Sequence, residues 1–390
     1  MKKIITILTV ILFASNLFGQ QKTKSELIFP FQSQHVHSSS IVELPNGDLL
    51  TCWFQGSGER KANDVLINGS RLKKGKTKWS KPFLMADTPG QPDCNPILFL
   101  TKNDKLFLIW ITVQANRWET SILKVKTTSD YKGKDAPNWE WQDVILMKPG
   151  KEFEERVKEQ FGKYGRNDLV WAEYALPYEE MLIEAAKDPK KRETGWMTRT
   201  HPTILDNGKI LLPLYSDGFN FGLIAISEDD GLTWKSSLPI IGRGLNQPSL
   251  VVHKNGSIDA YMRDDGDEPG RIMISRSEDE GYSWTYAQKS EIPNPGASLE
   301  VIKLKSGNWL MVYNDIDDGR YSLAVAISND EGKSWKWKRN LENIKSGSFS
   351  YPSVIQSKNG DIHITYTYRL SDEKKTIKHV SFAEKWVINN

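Results

Sequence analysis

The sequence predicts an all-β fold, a six-bladed β-propeller, on three observations. A pattern S-x-D-x-G-x-[ST]-W occurs three times, at residues 227–234, 277–284 and 328–335, about fifty residues apart. A two-strand phrase, in which a tight turn joins two β-rich runs, occurs six times. One long segment with helical spacing breaks the period between the second and third phrases. A fixed period in this range marks an array, a solenoid or a propeller. Six hairpins, each followed by outer strands, make a six-bladed ring. A β-sandwich would use the same short strands, but it needs no repeating Ser-Asp-Gly-Trp turn.

Along the chain, residues 1–19 read as a signal peptide. Lys2 and Lys3 precede a short apolar run and a small-residue exit near Gly19. The run is shorter than the ~20 residues of a spanning helix, and no cysteine near the exit suggests a lipid anchor. Residues 20–390 then form one propeller domain. The phrases lie at 37–53, 95–110, 201–215, 247–263, 298–313 and 351–368. Gly47, Gly208, Gly256, Gly307 and Gly360 mark five of their turns, four of them as Asn-Gly, a strong hairpin signal. Residues 26–31 supply the strand that completes the last blade. Residues 70–79 and 128–139 look like remnants of the repeated turn. Residues 148–198 place Phe153, Val157 and Phe161, then Ala175, Tyr178, Leu182 and Ala185, at helical spacing before Pro189 and Gly195. This is a helical insertion on the propeller face, too short to bury a core of its own.

Charge and cysteines narrow the function. Losing the leader's Lys2 and Lys3 takes the formal charge from +3 to +1, which is no footprint for nucleic acid or an anionic membrane. The expected partner is a carbohydrate, and the expected state is a monomer, secreted or periplasmic. The two cysteines, Cys52 and Cys94, sit on or beside predicted strands and read as buried thiols. No Cys/His spacing suggests a metal, and no cofactor motif occurs.

In a propeller, the innermost strands begin around the central axis. Aligning the phrases on turn glycines and x-Pro steps gives a ring of Ser38 (with His37 beside it), Asn95, His201, Gln247, Ser298 and Tyr351. Almost all are polar where a packed strand would take Val or Ile. A ligand site explains this; so does a solvated channel without chemistry.

The three repeated turns resemble the Asp-box of sialidases, and the resemblance extends from about residue 34 to the C-terminus. It implies specific roles. Tyr351, nine residues before Gly360, stands where the family's nucleophilic Tyr opens the sixth blade. Arg263 stands where a substrate-binding Arg ends the second strand of the fourth blade, a place for a fork onto a carboxylate. Asp64 is the nearest match to the family's acid/base Asp, with Glu59 and Arg60 in the same loop as substitutes. Arg320 matches a recurrent family Arg.

The departures are equally specific. His37 stands where the family opens its first blade with Arg, and Gln247 stands where the family's activating Glu would fall. Arg199 and His201 could rebuild an anion site beside the axis, and His37 with His201 could act as an acid/base pair. The resemblance therefore implies an exo-glycosidase acting on a terminal acidic sugar. A polysaccharide lyase or His-dependent glycosidase on uronate-containing polymers is the first alternative. A non-catalytic carbohydrate-binding propeller is the second.

Overall fold

The computed structural model describes residues 23–164 and 172–389, so the signal-peptide segment lies outside the described residues. Six antiparallel sheets, each built around four ranks of strands, follow one another along the chain. Blade 1 is His35–Glu43, Leu49–Gly56, Leu66–Leu72 and Phe83–Ala86. Blade 2 is Asp93–Leu100, Leu106–Val113, Ser121–Thr128 and Trp141–Ile145. Blade 3 has a split first strand, Met197–Thr198 and Thr203–Ile204, followed by Ile210–Ser216, Phe221–Ser227 and Lys235–Ser236. Blade 4 is Leu245–Val252, Ile258–Asp264, Arg271–Ser277 and Gln288–Pro293. Blade 5 is Glu300–Lys303, Trp309–Tyr313, Ser322–Ser328 and Trp337–Asn343. Blade 6 is Ser348–Gln356, Asp361–Ser371 and Lys374–Ala383, with Lys24–Leu27 as its outer strand.

The strand before the first phrase thus closes the ring, as the sequence predicts. It pairs with Lys374–Ala383 in the register Lys24 to Ser381. Behind it Phe29 stacks on Trp53 of blade 1, ring centroids 4.8 Å apart. The fold class is that expected: the inner strands of the blades bury most of their apolar side chains, while outer strands such as Trp141–Ile145 and Lys24–Leu27 are largely exposed. Leu106–Val113, at the centre of blade 2, is buried along its whole length.

The three repeated turns join the third and fourth strands of blades 3, 4 and 5, far from the axis. Each has the same wiring. In the first, Ser227 Oγ accepts from Gly231 N (2.9 Å) and donates to Asp229, whose carboxylate accepts from Thr233 N (2.8 Å). Asp279 and Asp330 repeat it. Gly231, Gly281 and Gly332 all take positive φ, which a side chain would strain. Each glycine also lies against the second strand of the preceding blade. A Cβ on Gly231 would fall 2.6 Å from Phe107, on Gly281 3.1 Å from Leu211, and on Gly332 2.3 Å from the Tyr261 hydroxyl. The turns therefore stitch neighbouring blades. Lys209 Nζ to Glu280 (2.6 Å) and Lys254 N to Glu331 (2.7 Å) add polar contacts across the same seams.

The insertion between blades 2 and 3 contains helices α1 (Lys151–Tyr164), α2 (Ala172–Lys187) and α3 (Pro189–Arg192). The apolar stripe of α1 docks on blade 3. Phe153 meets Phe219 at 5.3 Å, and Phe161 meets Phe221 at 5.8 Å. Cys52 and Cys94 are buried free thiols, as expected, and burial pushes both well above the usual thiol range.

Candidate active site

The first strands of blades 1, 2, 4 and 6 each lose register once, between His37 and Ser40, Cys94 and Ile97, Asn246 and Ser249, and Ser350 and Ser353. At each break one residue adopts left-handed φ: Ser38 (54°), Asn95 (49°), Gln247 (57°) and Tyr351 (55°). A bulge re-aims the side chains around it, and left-handed non-glycine residues cluster where a site over-determines them. All four stand nine residues before their hairpin-turn residue, namely Gly47, Asp104, Gly256 and Gly360.

These bulges surround a cavity of about 660 Å³ at one end of the axis. His37, Asn95, Gln247, Arg263, Arg320 and Tyr351, all expected at the site, line it. The Tyr351 hydroxyl accepts from Arg263 Nη1 (3.2 Å) and from Gln247 Nε2 (3.2 Å). The His37 ring lies 4.0 Å from the Tyr351 ring, centroid to centroid, and its Nδ1 is 3.0 Å from Thr367 Oγ1. Asn95 donates to the Tyr215 hydroxyl at 3.1 Å. Arg320 approaches the face of Tyr351 at 5.6 Å and donates to the Gly296 carbonyl. Arg263 is also fixed from behind, since its Nε donates to Asp265 at 2.6 Å. Its fork thus divides between Asp265 and the phenol.

Four expected residues lie elsewhere. Asp64 is at the surface, where its carboxylate accepts from Ser57 N (3.1 Å) and Ser57 Oγ (2.8 Å), which holds it below the usual carboxylate range. The loop folds so that Glu59 faces the cavity instead. Arg60 donates to the Asn116 carbonyl (3.0 Å) and lies over Trp118; the indole, not the guanidinium, lines the cavity. Arg199 is fully buried beneath the site, 4.8 Å from the Tyr351 ring centre, and donates to the Pro352 carbonyl at 2.7 Å. It props the phenol rather than meeting a ligand.

His201 lines a different cavity, of about 420 Å³, together with Glu300, Asp206 and His253. Its Nδ1 is 2.8 Å from Glu300, and its Nε2 is 2.9 Å from the Ile41 carbonyl. Burial opposes its protonation, but the Glu300 carboxylate outweighs it and raises its pKa. The reason for the misplacement is one of register. His201 stands seven residues before Gly208, and Arg199 stands nine before it. The x-Pro step at Pro202 aligns the wrong residue with the ring.

The electrostatics of the cavity are divided. Burial, then His35 and the guanidiniums of Arg320, Arg199 and Arg263, holds the His37 imidazole well below its usual pKa. Burial, Lys375 and Arg369 bring His35 down to about 4. Both are neutral at physiological pH. Burial raises Glu59 against the pull of Arg60, Arg320 and Arg263. Asp217 reaches cavity solvent, yet the surrounding protein and the Asp265 carboxylate push it up to about 6. Arg320, Arg369 and Lys375 lie on blades 5 and 6, while Asp217 and Asp265 lie on blades 3 and 4.

Tyr215, Asp217, Asp265, Thr367 and Arg369 complete much of the wall. A second offset would have found them. Tyr215, Arg263 and Thr367 each stand seven residues after the turn glycine of their phrase. Asp217, Asp265 and Arg369 each stand nine after it. Trp118, in the connection after Leu106–Val113, and Lys375, near the start of the strand Lys374–Ala383, lie outside the phrases and carry no such signal.

A six-bladed propeller whose bulged inner strands surround a polar pocket is a scaffold for ligand chemistry at the axis. The chain belongs to the BNR repeat-like domain family, whose model matches residues 47–174 and 188–364. No curated protein matches it. Among solved structures it resembles a protein of unknown function from Dyadobacter fermentans, at 16% identity over 93% of this chain and 99% of that one (TM-score 0.68). A sialidase from Streptococcus pneumoniae matches at 13% identity over 93% of this chain and 71% of that one (TM-score 0.68). The leech intramolecular trans-sialidase matches at 13% identity over 94% and 71% (TM-score 0.69). An α-L-arabinanase from Penicillium chrysogenum matches at 12% identity over 93% and 99% (TM-score 0.58). The chain is thus a BNR repeat-like propeller that shares the fold of these sialidases at low identity.

Proposed function

We propose that this chain is a secreted exo-glycosidase that removes a terminal acidic sugar from glycans. The observation that carries this reading is the Tyr351 phenol, bonded to Arg263 and Gln247 and facing Arg320 across its ring in an open axial cavity. Arg263 and Arg320 would receive the sugar's carboxylate. They would also stabilise the phenolate as the Tyr351 oxygen attacks the anomeric carbon, a role for Tyr outside the usual carboxylate pair. Glu59, whose carboxyl burial shifts toward the protonated form and which faces the cavity, would give its proton to the departing glycosidic oxygen and recover it from the water that cleaves the glycosyl–tyrosine bond. Gln247 donates to the phenol and cannot take its proton, so the phenol would lose that proton to cavity water before attack, with the Arg263 and Arg320 charges favouring the phenolate left behind.

A panel of sialosides and uronate-containing glycans, with product analysis, tests this. Release of an intact acidic monosaccharide supports it, and Glu59→Gln should slow that release by about 10²-fold or more. One observation favours a second reading. The neutral His37 imidazole against Tyr351 could abstract the proton beside a uronate carboxylate. That lyase would leave an unsaturated product absorbing in the near ultraviolet.

A further inference from the structure

A second cavity of about 410 Å³ lies beside the axial one, and the two share Asn220 and Asp265 in their walls. Its far side belongs to the helical insertion, through Phe161 of α1 and Tyr178 and Glu179 of α2. The partition between the cavities is a hydrogen-bonded chain. Asn220 donates to the Tyr178 hydroxyl (2.5 Å), and Asn246 donates to Asp265 (2.8 Å) and Asn220 (3.4 Å). The charge differs across this partition. The axial cavity presents Arg320, Arg369 and Lys375 on its far wall. The lateral one presents two aromatic rings with Glu179, Asp265, Asp267 and Glu268, and Arg243 bridges Glu179 and Asp267. The axial cations, across from Asp217 and Asp265, would draw an acidic sugar to the wall of blades 5 and 6, whereas the lateral cavity's Arg243 is already paired with two carboxylates. Aromatic faces beside fixed acceptors suit a neutral, hydroxyl-rich ring.

The geometry points to the lateral cavity as a subsite for the neutral sugar that follows the terminal acidic one. The insertion then sets which glycans are accepted. This rests on the reading of the axial cavity as the acidic-sugar site. It also gives the substrate one orientation, with its acidic end toward blades 5 and 6 and its neutral end under α1 and α2.

The test is titration of the full chain, followed by NMR saturation transfer, with lactose as the neutral probe and N-acetylneuraminic and glucuronic acids as acidic probes. Lactose should bind the wild type and Tyr351→Phe alike. Tyr178→Ala should weaken it about five-fold or more, as expected for losing one aromatic contact. Asp267→Trp, at the half-exposed mouth, should block it without disturbing the core, and thermal melts of both variants report folding. Lactose binding unchanged in both variants overturns the subsite. So does an acidic monosaccharide that binds while lactose does not, and that outcome leaves the axial reading standing. Lactose binding that responds to both variants, with neither acidic probe bound, keeps the lateral site and sinks the acidic-sugar reading.

Discussion

Tyr351 is the residue on which the chemistry turns, and its environment sets distinct expectations for its neighbours. Tyr351→Phe removes one oxygen and keeps the ring that packs on His37 and Arg199. Turnover should fall by at least about 10³-fold while ligand binding survives. Near-normal rates in that variant, with activity lost in His37→Ala, would replace the Tyr mechanism by a His-based one. Arg263→Lys loses a planar fork already anchored on Asp265. It should raise KM for the acidic substrate about ten-fold or more and change kcat less. Asp217 predicts a pH effect. Below about 6 it is neutral; above, it adds a negative charge to the wall facing an anionic substrate. The ratio kcat/KM should therefore fall as pH rises through about 6, by a few-fold because cavity water screens the charge. Asp217→Asn should flatten that limb, and an unchanged profile in the variant would exclude Asp217 as its origin.

At the scale of elements, the repeated turns and the insertion do different work. The turns act between blades, and two glycines with the same backbone demand separate this from local strain. Gly256 (φ 93°) has nothing within 4 Å of its Cβ direction, whereas Gly332 (φ 81°) faces Tyr261 and Trp309. Gly256→Ala should cost about 1–2 kcal/mol, the left-handed penalty alone. Gly332→Ala should cost about 1–3 kcal/mol more, the usual price of overpacking, with kcat/KM unchanged in both. Equal losses in urea unfolding would show that the turn does not staple the blades. Trp284, only 2% exposed and donating to the Gly281 carbonyl, predicts about 3–5 kcal/mol for Trp284→Ala.

The whole molecule depends on closing its ring. The segment before blade 1 contributes the outer strand of blade 6, buries Ile28 and Phe29, and ties Glu26 to both Trp79 and His379. Two buried apolar side chains at about 1.5–3 kcal/mol each give a loss of about 3–6 kcal/mol on removal of residues through Ser33. The urea midpoint of that shortened chain should fall accordingly. A midpoint equal to that of the longer chain would mean the ring closes without this strand.

By itself the sequence determined the blade count, the place of the insertion, the closing strand and the outer turns, because each follows from a local rule repeated at a fixed period. Tyr351, Gln247 and Asn95 were legible on the same ground, standing at one offset from their hairpin turns. Only the tertiary structure decided which loop residue faces the axis and which end of the channel a side chain enters. Glu59 rather than Asp64 reaches the cavity because Asp64 is captured by Ser57, a contact set by the fold of one short loop. His201 turns away because two residues of register on an inner strand, split in blade 3, carry it toward Glu300. The divided charge of the two cavities belongs to no single phrase. It arises where blades 3 to 6 and an α-helical insertion converge, and sequence period carries no information about what lies across the axis.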